Sequence, residues 1–194
     1  MKKFLAILLV CLMAFTVVSC GPEEEAGEFD KFLTAVDQTP ASKINVVSKL
    51  TTDLGVLNAT VETVFNPDGS ANLTYSVENF NTDFSSDEVK LTKTGTVVLN
   101  KDGSYSDGGE FSGVIGENVV AVNISLDETK FDSYKVQGNV LTASVKAENT
   151  QAVFGVEISA DVSFMLTISN NRVVSITMNY TVESGAMEVV CSYN

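Results

Sequence analysis

From Phe154 to Ile168 every even position is apolar: Phe154, Val156, Ile158, Ala160, Val162, Phe164, Leu166 and Ile168. The odd positions between them, Gly155, Glu157, Ser159, Asp161, Ser163, Met165 and Thr167, are nearly all small or polar. Strict alternation places one set on each face of a strand, so eight apolar side chains would share a side. At about 3.3 Å per residue such a strand spans roughly 50 Å, beyond ordinary strand length. A strand this long has to coil or carry a bulge, which predicts a strongly curved antiparallel sheet with one apolar, concave face.

The rest of the chain is consistent with that sheet. Phe29, Phe32, Leu33 and Val36 fall at helical spacing, Glu28 and Asp30 suit the N-terminal end, and Pro40 bars continuation. This predicts one short helix lying against the sheet. Residues 43 to 52 and 56 to 65 are β-branched-rich runs around a turn at Asp53-Leu54-Gly55. In Asn66-Pro67-Asp68-Gly69-Ser70, a three-residue loop would pair Phe65 with Ala71 and Val61 with Tyr75. A second turn of the same kind, Asn100 to Ser104, follows residues 94 to 99. Phe80 to Glu88 and Ser106 to Gly116 read as loops or weak edges. Val120, Val122, Ile124 and Leu126 alternate, as do Leu141, Ala143, Val145 and Ala147, with Asp127 to Gly138 as the link between them.

Val174, Ile176, Met178, Tyr180 and Val182 form another even-numbered apolar face after Asn170-Asn171-Arg172. Matching it to the face of Phe164 requires an odd loop, so a three-residue one pairs Ile168 with Val174 and Phe164 with Met178. A two-residue turn at Ser184-Gly185 then pairs Val182 with Met187 and Met178 with Cys191, turning Cys191 inward. The expected fold is mainly β with one N-terminal helix: a curved antiparallel meander, or half-open barrel, of roughly eight to ten strands.

The chain begins differently. Lys2 and Lys3 precede an uncharged apolar run, Phe4 to Phe15, which is too short to span a membrane and reads as a secretory signal. It closes on Val17-Val18-Ser19-Cys20, which resembles the lipobox of bacterial prolipoproteins. The resemblance implies cleavage after residue 19 and a diacylglyceryl group on the Cys20 thiol, with acylation of the new amine. Two or three acyl chains suffice for stable anchoring. The expected organisation is a cleaved signal (1–19), a lipidated acidic tether (20–27, with GPEEEAG from Gly21) and one β-rich domain (28–194). The implied location is extracytoplasmic, on the outer leaflet of the cytoplasmic membrane or on the outer membrane.

Twelve basic residues lose two with the signal while twenty-five acidic residues lose none, so the formal charge moves from −13 to −15. Such a charge argues against nucleic acid and against a basic face on anionic lipid. Once Cys11 leaves and Cys20 is acylated, Cys191 is alone and no internal disulfide forms. The chain has no histidine, which excludes Ser-His-Asp and Cys-His nucleophile systems and the usual zinc chelates. No catalytic constellation assembles, so no enzyme and no dissociable cofactor is expected.

Asn100-Lys101-Asp102-Gly103 has part of an EF-hand spacing, but Val98 and Gly109 fall where ligands belong, and a hairpin turn accounts for the same residues. The acidic run Asn79 to Glu88 reads as an exposed loop. Asn58, Asn72, Asn123 and Asn179 each head an N-x-[ST] triplet on a predicted outward face. Glu157 and Asp161 would share a strand face, but on the wet side and outside any cleft.

Lipobox, acidic tether, short helix and long antiparallel strands, in that order, resemble the half-barrel lipoproteins of the Lol-carrier and mycobacterial LppX/LprG type. There a curved sheet is closed by helices over an apolar cavity that holds acyl chains. Those proteins use several helices as the lid, whereas only residues 29 to 36 read as helical here. Two functions follow. In the first, the apolar face is plain core and the polar face meets a partner, giving a structural or protein-interaction lipoprotein. In the alternative, the concave face holds lipid or another hydrophobic ligand, lined by Phe154, Phe164, Met178 and Tyr180.

Overall fold

The computed structural model describes residues 26–39, 42–53, 55–81, 90–102, 104–107 and 124–194. The signal, Cys20, most of the tether, and residues 82–88 and 108–116 of the segments expected as loops or weak edges (80–88 and 106–116) lie outside these residues, as do Val120 and Val122.

Helix α1 (Ala26–Asp37) precedes strands β1 (Lys43–Thr52), β2 (Gly55–Phe65), β3 (Ala71–Asn81) and β4 (Lys90–Leu99). After a 3₁₀ turn at Glu128–Lys130 come β5 (Phe131–Gln137) and β6 (Val140–Val145), then a short helix α2 (Thr150–Phe154). Strands β7 (Val162–Ser169), β8 (Arg172–Val182) and β9 (Gly185–Tyr193) complete the sheet. Its nine strands are all antiparallel, in the order β4-β3-β2-β1-β9-β8-β7-β6-β5, and it is not closed into a barrel. The expected unbroken meander is therefore two meanders. β1 to β4 run out to one edge, β5 to β9 run back from the other, and β1 and β9 pair in the middle.

One face of all nine strands is apolar and continuous. Val46 lies opposite both Val61 and Cys191, Ile176 opposite Cys191, and Leu166 opposite both Ile176 and Leu141. Over β1 and β5 to β9 this face is covered by Phe29, Phe32 and Ala35 of α1, by Ile124 and Leu126, and by the 150–158 segment. On β2 to β4 it forms a second buried cluster of small and medium side chains around Ala59, Val61, Leu73 and Val97. α1 buries the expected face except for Leu33, which is exposed, while Ala35 is buried in its place.

The turns of β1 to β4 follow their residues. Asn66 and Ser70 close the three-residue loop through Asn66 N–H to the Ser70 carbonyl at 2.8 Å, and Phe65 pairs with Ala71 and Val61 with Tyr75, as expected. Asn100 and Ser104 repeat the same bond at 2.8 Å.

The long strand from Phe154 is where the sequence misleads. Phe154 ends α2, residues 155–161 cross without regular structure, and only Val162 to Ser169 is strand. Two local causes are visible. Gly155 adopts a left-handed conformation (φ +71°) and caps α2 by donating its N–H to the Gln151 carbonyl. The buried Thr150 hydroxyl accepts from Ile158 N–H at 2.9 Å, and its own proton is shared between the carbonyls of Ala147 (2.9 Å) and Ile158 (3.2 Å). That bridge folds the segment into a loop over the core. Phe154 and Ile158 still point inward.

The β7–β8 connection also differs. Its loop has two residues, Asn170 and Asn171, both at positive φ (51° and 57°), the twist that a two-residue hairpin prefers. The odd residue that face parity demands is supplied by a bulge, so Ile168 pairs with Val173 while Phe164 still pairs with Met178. Val173 turns inward and Val174 is exposed, the reverse of the expectation. Val173 N–H, freed by the bulge, donates to Thr39 Oγ1 at 2.9 Å just past α1. At the next hairpin the turn is Glu183-Ser184, two residues off the expected pairing, so Tyr180 lies opposite Met187 and Ile176 opposite Cys191. Gly185 begins β9, where a Cβ would run into the Thr51 carbonyl oxygen. Finally, the Asp127–Gly138 link contains strand β5, whereas Ile124–Leu126, expected as strand, is an irregular segment held by Ser125 N–H to the Val153 carbonyl at 2.7 Å.

Candidate functional site

The four side chains proposed to line a cavity are brought together, in the core. Phe154 and Met178 are 0 % exposed and Phe164 is 1 % exposed, so no water-sized void adjoins them. Phe164 packs edge-on against Phe154 at 5.3 Å and against Phe131 at 5.6 Å, and Phe131 and Tyr134 continue the stack to Phe29 of α1. Tyr180 is also buried, at 8 %. These residues are filled interior, and the α1 stripe is part of it.

Cys191 is fully buried, and desolvation pushes its thiol up to about 12, which keeps it protonated and unreactive at neutral pH. The calcium-like turn is explained by its own bonds. Asp102 Oδ1 accepts from Ser104 N–H at 2.9 Å and from Ser104 Oγ at 2.6 Å, which holds its carboxyl below the usual range. Asp68 and Ser70 repeat this in the other turn. Among the described residues no three His, Cys, Asp or Glu side chains gather as a metal site.

A concavity lies on the opposite, outward face of the sheet. It is an open trough of about 460 Å³ lined by residues of β7, β8, β9 and β1 and by Asp161. One cross-strand row, Ser163, Asn179, Glu188 and Lys49, runs across the four strands without a break. The next row places Ala186 between Thr181 and Thr51, and its short methyl makes the depression. Asp161 forms the end wall and is fixed there: one oxygen accepts from Ala147 N–H at 3.0 Å, the other from Lys146 Nζ at 3.0 Å. Those two bonds lower its pKa, so it stays charged. Asp161 thus borders a cleft that the sequence did not reveal, while Glu157 lies on the 155–161 loop and is exposed. Tyr180 also borders the trough.

No family model and no curated protein matches the chain. The fold is similar to that of LprF from Mycobacterium bovis, at 11 % identity over 86 % of this chain and 91 % of that one, with a TM-score of 0.39. It is similar also to a redesigned β-barrel, mFAP1, bound to DFHBI (10 % identity, 83 % and 99 % covered, TM-score 0.25). A DUF1329 family protein from Desulfovibrio piger matches at 10 % identity, over 87 % and 90 % of the two chains, with a TM-score of 0.28. Likeness at this level leaves function to be read from the side chains of this chain.

Proposed function

We propose that this chain is a lipoprotein of the cell envelope, anchored through Cys20, whose β domain is non-catalytic and binds a partner on the outward face of its sheet. One observation carries the reading: the apolar face is spent on the fold. Phe154, Phe164 and Met178 are sealed, so the surface left to recognise anything is the polar one, and it carries the trough. The absence of histidine from the sequence and the inert, buried Cys191 support a domain without catalysis.

Native mass spectrometry of residues 21–194 tests the choice against a lipid carrier. The fragment retains every described core residue, the first of which is Phe29. The expected result is an apo mass, unchanged by added fatty acid or phospholipid. Lipid co-purifying at one per chain after organic extraction overturns the proposal. The anchor is tested in cells: labelled palmitate enters the wild-type chain, and Cys20→Ala abolishes it.

A further inference from the structure

We infer that the outward trough is a binding site for a neutral, hydroxyl-rich ligand, of which a saccharide is the chemical class, a proposal that rests on the partner-binding role proposed above. Three observations converge on it. The first is unused bonding capacity. Lys49, Thr51, Ser163, Asn179, Thr181 and Glu188 form no side-chain hydrogen bond or ion pair within the described residues. Polar side chains of the turns, in contrast, satisfy one another, as Asn66, Asp68 and Ser70 do. Six free polar side chains around one concavity of about 460 Å³ provide donors, acceptors and groups that act as both.

The second is charge. Asp161 is compensated by Lys146 at 3.0 Å, and Lys49 lies directly across the ladder from Glu188. An anion entering the trough faces the carboxylates of Asp161 and Glu188, and a cation faces the ammonium of Lys49. A neutral polyol meets neither repulsion and can both donate and accept at each hydroxyl. The third is the neighbouring row on the same face, Met165, Thr177, Val190 and Val47, in which Met165 and Val47 are 41 % and 40 % exposed. A sugar ring is amphipathic: its hydroxyls suit the trough and its C–H face suits this ledge. An extended peptide fits less well. β7, β8, β9 and β1 are each paired on both sides, so they offer no edge for strand addition.

The test is amide chemical-shift mapping on isotope-labelled residues 21–194, titrated with glucose, N-acetylglucosamine, maltose and chitobiose, and with a Ser-Gly-Ser peptide for comparison. The proposal expects at least one sugar to shift amides clustered at residues 49–51, 161–163, 179–181 and 186–188. Ala186→Ile fills the depression with a residue that strands favour, so it should weaken that binding at least tenfold while the spectrum stays dispersed. Glu188→Gln keeps shape and should weaken it several-fold. Three outcomes overturn the saccharide site: no clustered shift with any sugar up to its solubility limit, shifts with the peptide alone, or sugar binding that survives Ala186→Ile. If any of these accompanies a clean apo mass, the saccharide assignment fails while partner binding by the outward face stands. Co-purified lipid removes both.

Discussion

Thr150→Val removes one hydroxyl without changing the shape of the side chain, and the structure fixes what that should cost. The residue is fully buried, and its oxygen accepts from Ile158 N–H at 2.9 Å. Its proton serves the carbonyls of Ala147 and Ile158. Valine leaves a buried backbone N–H with no acceptor and removes a donor from the carbonyls. The orphaned buried N–H costs about 1–3 kcal/mol and the lost donor bond about 1 kcal/mol more, so the sum is about 2–4 kcal/mol. Against a typical total of about 5–15 kcal/mol this is a large loss. For a domain of this size it corresponds to a fall in Tm on the order of 5–15 °C. Thr150→Ser keeps the hydroxyl, gives up one methyl, and should cost about 1 kcal/mol. Urea and thermal melts of the three proteins decide it. A valine variant melting within ~2 °C of wild type, or a serine variant falling as far as valine, would refute the bridge as the reason this segment leaves the sheet.

Two further perturbations follow from the same structure. Alanine at Asn170 or Asn171, both at positive φ, should cost about 1–2 kcal/mol each, whereas Asn171→Gly should be neutral or stabilising; urea midpoints measure both. At Cys191, burial raises the thiol from 9.0 to about 12, so the folded chain holds a proton that the unfolded one releases. The stability this contributes is complete below pH 9 and is lost as pH rises toward 12. Iodoacetamide at pH 8 should leave the folded protein unlabelled and label it in urea. Cys191→Val should flatten the decline in urea midpoint above pH 9 relative to wild type.

What the sequence discloses depends on what alternation can encode. The β2–β3 register is legible because Pro67, Asp68 and Gly69 fix the loop and parity fixes the faces. Parity alone is weaker. It required one extra residue between Ile168 and the next apolar face but could not say whether a loop or a bulge provides it; Asn170-Asn171 and the Val173 bulge do so together. A shift of two residues preserves parity, so the Glu183-Ser184 turn was invisible to it. At Phe154 and Ile158 a spacing of four satisfies both a helical turn and an alternating strand, and Thr150, which decides between them, lies outside the pattern. In β5, Phe131 and Tyr134 are three apart yet both pack on the core, because a bulge follows Phe131. The trough was beyond reach for a different reason. It exists only through the register of β1 on β9, which no local pattern encodes.

That register also sets an order of events. Ser42 Oγ donates to the Asn194 carbonyl at 3.0 Å across a separation of 152 residues, and the β1–β9 ladder closes the middle of the sheet. A chain emerging from a ribosome or a translocon can assemble the β1–β4 hairpins as soon as they appear. The larger apolar cluster has to wait for Val189 and Cys191. The polypeptide is therefore made over most of its length without its main core. A chain cut short before β9 keeps two half-sheets with open edges between them, a state that proteases can distinguish from the finished protein.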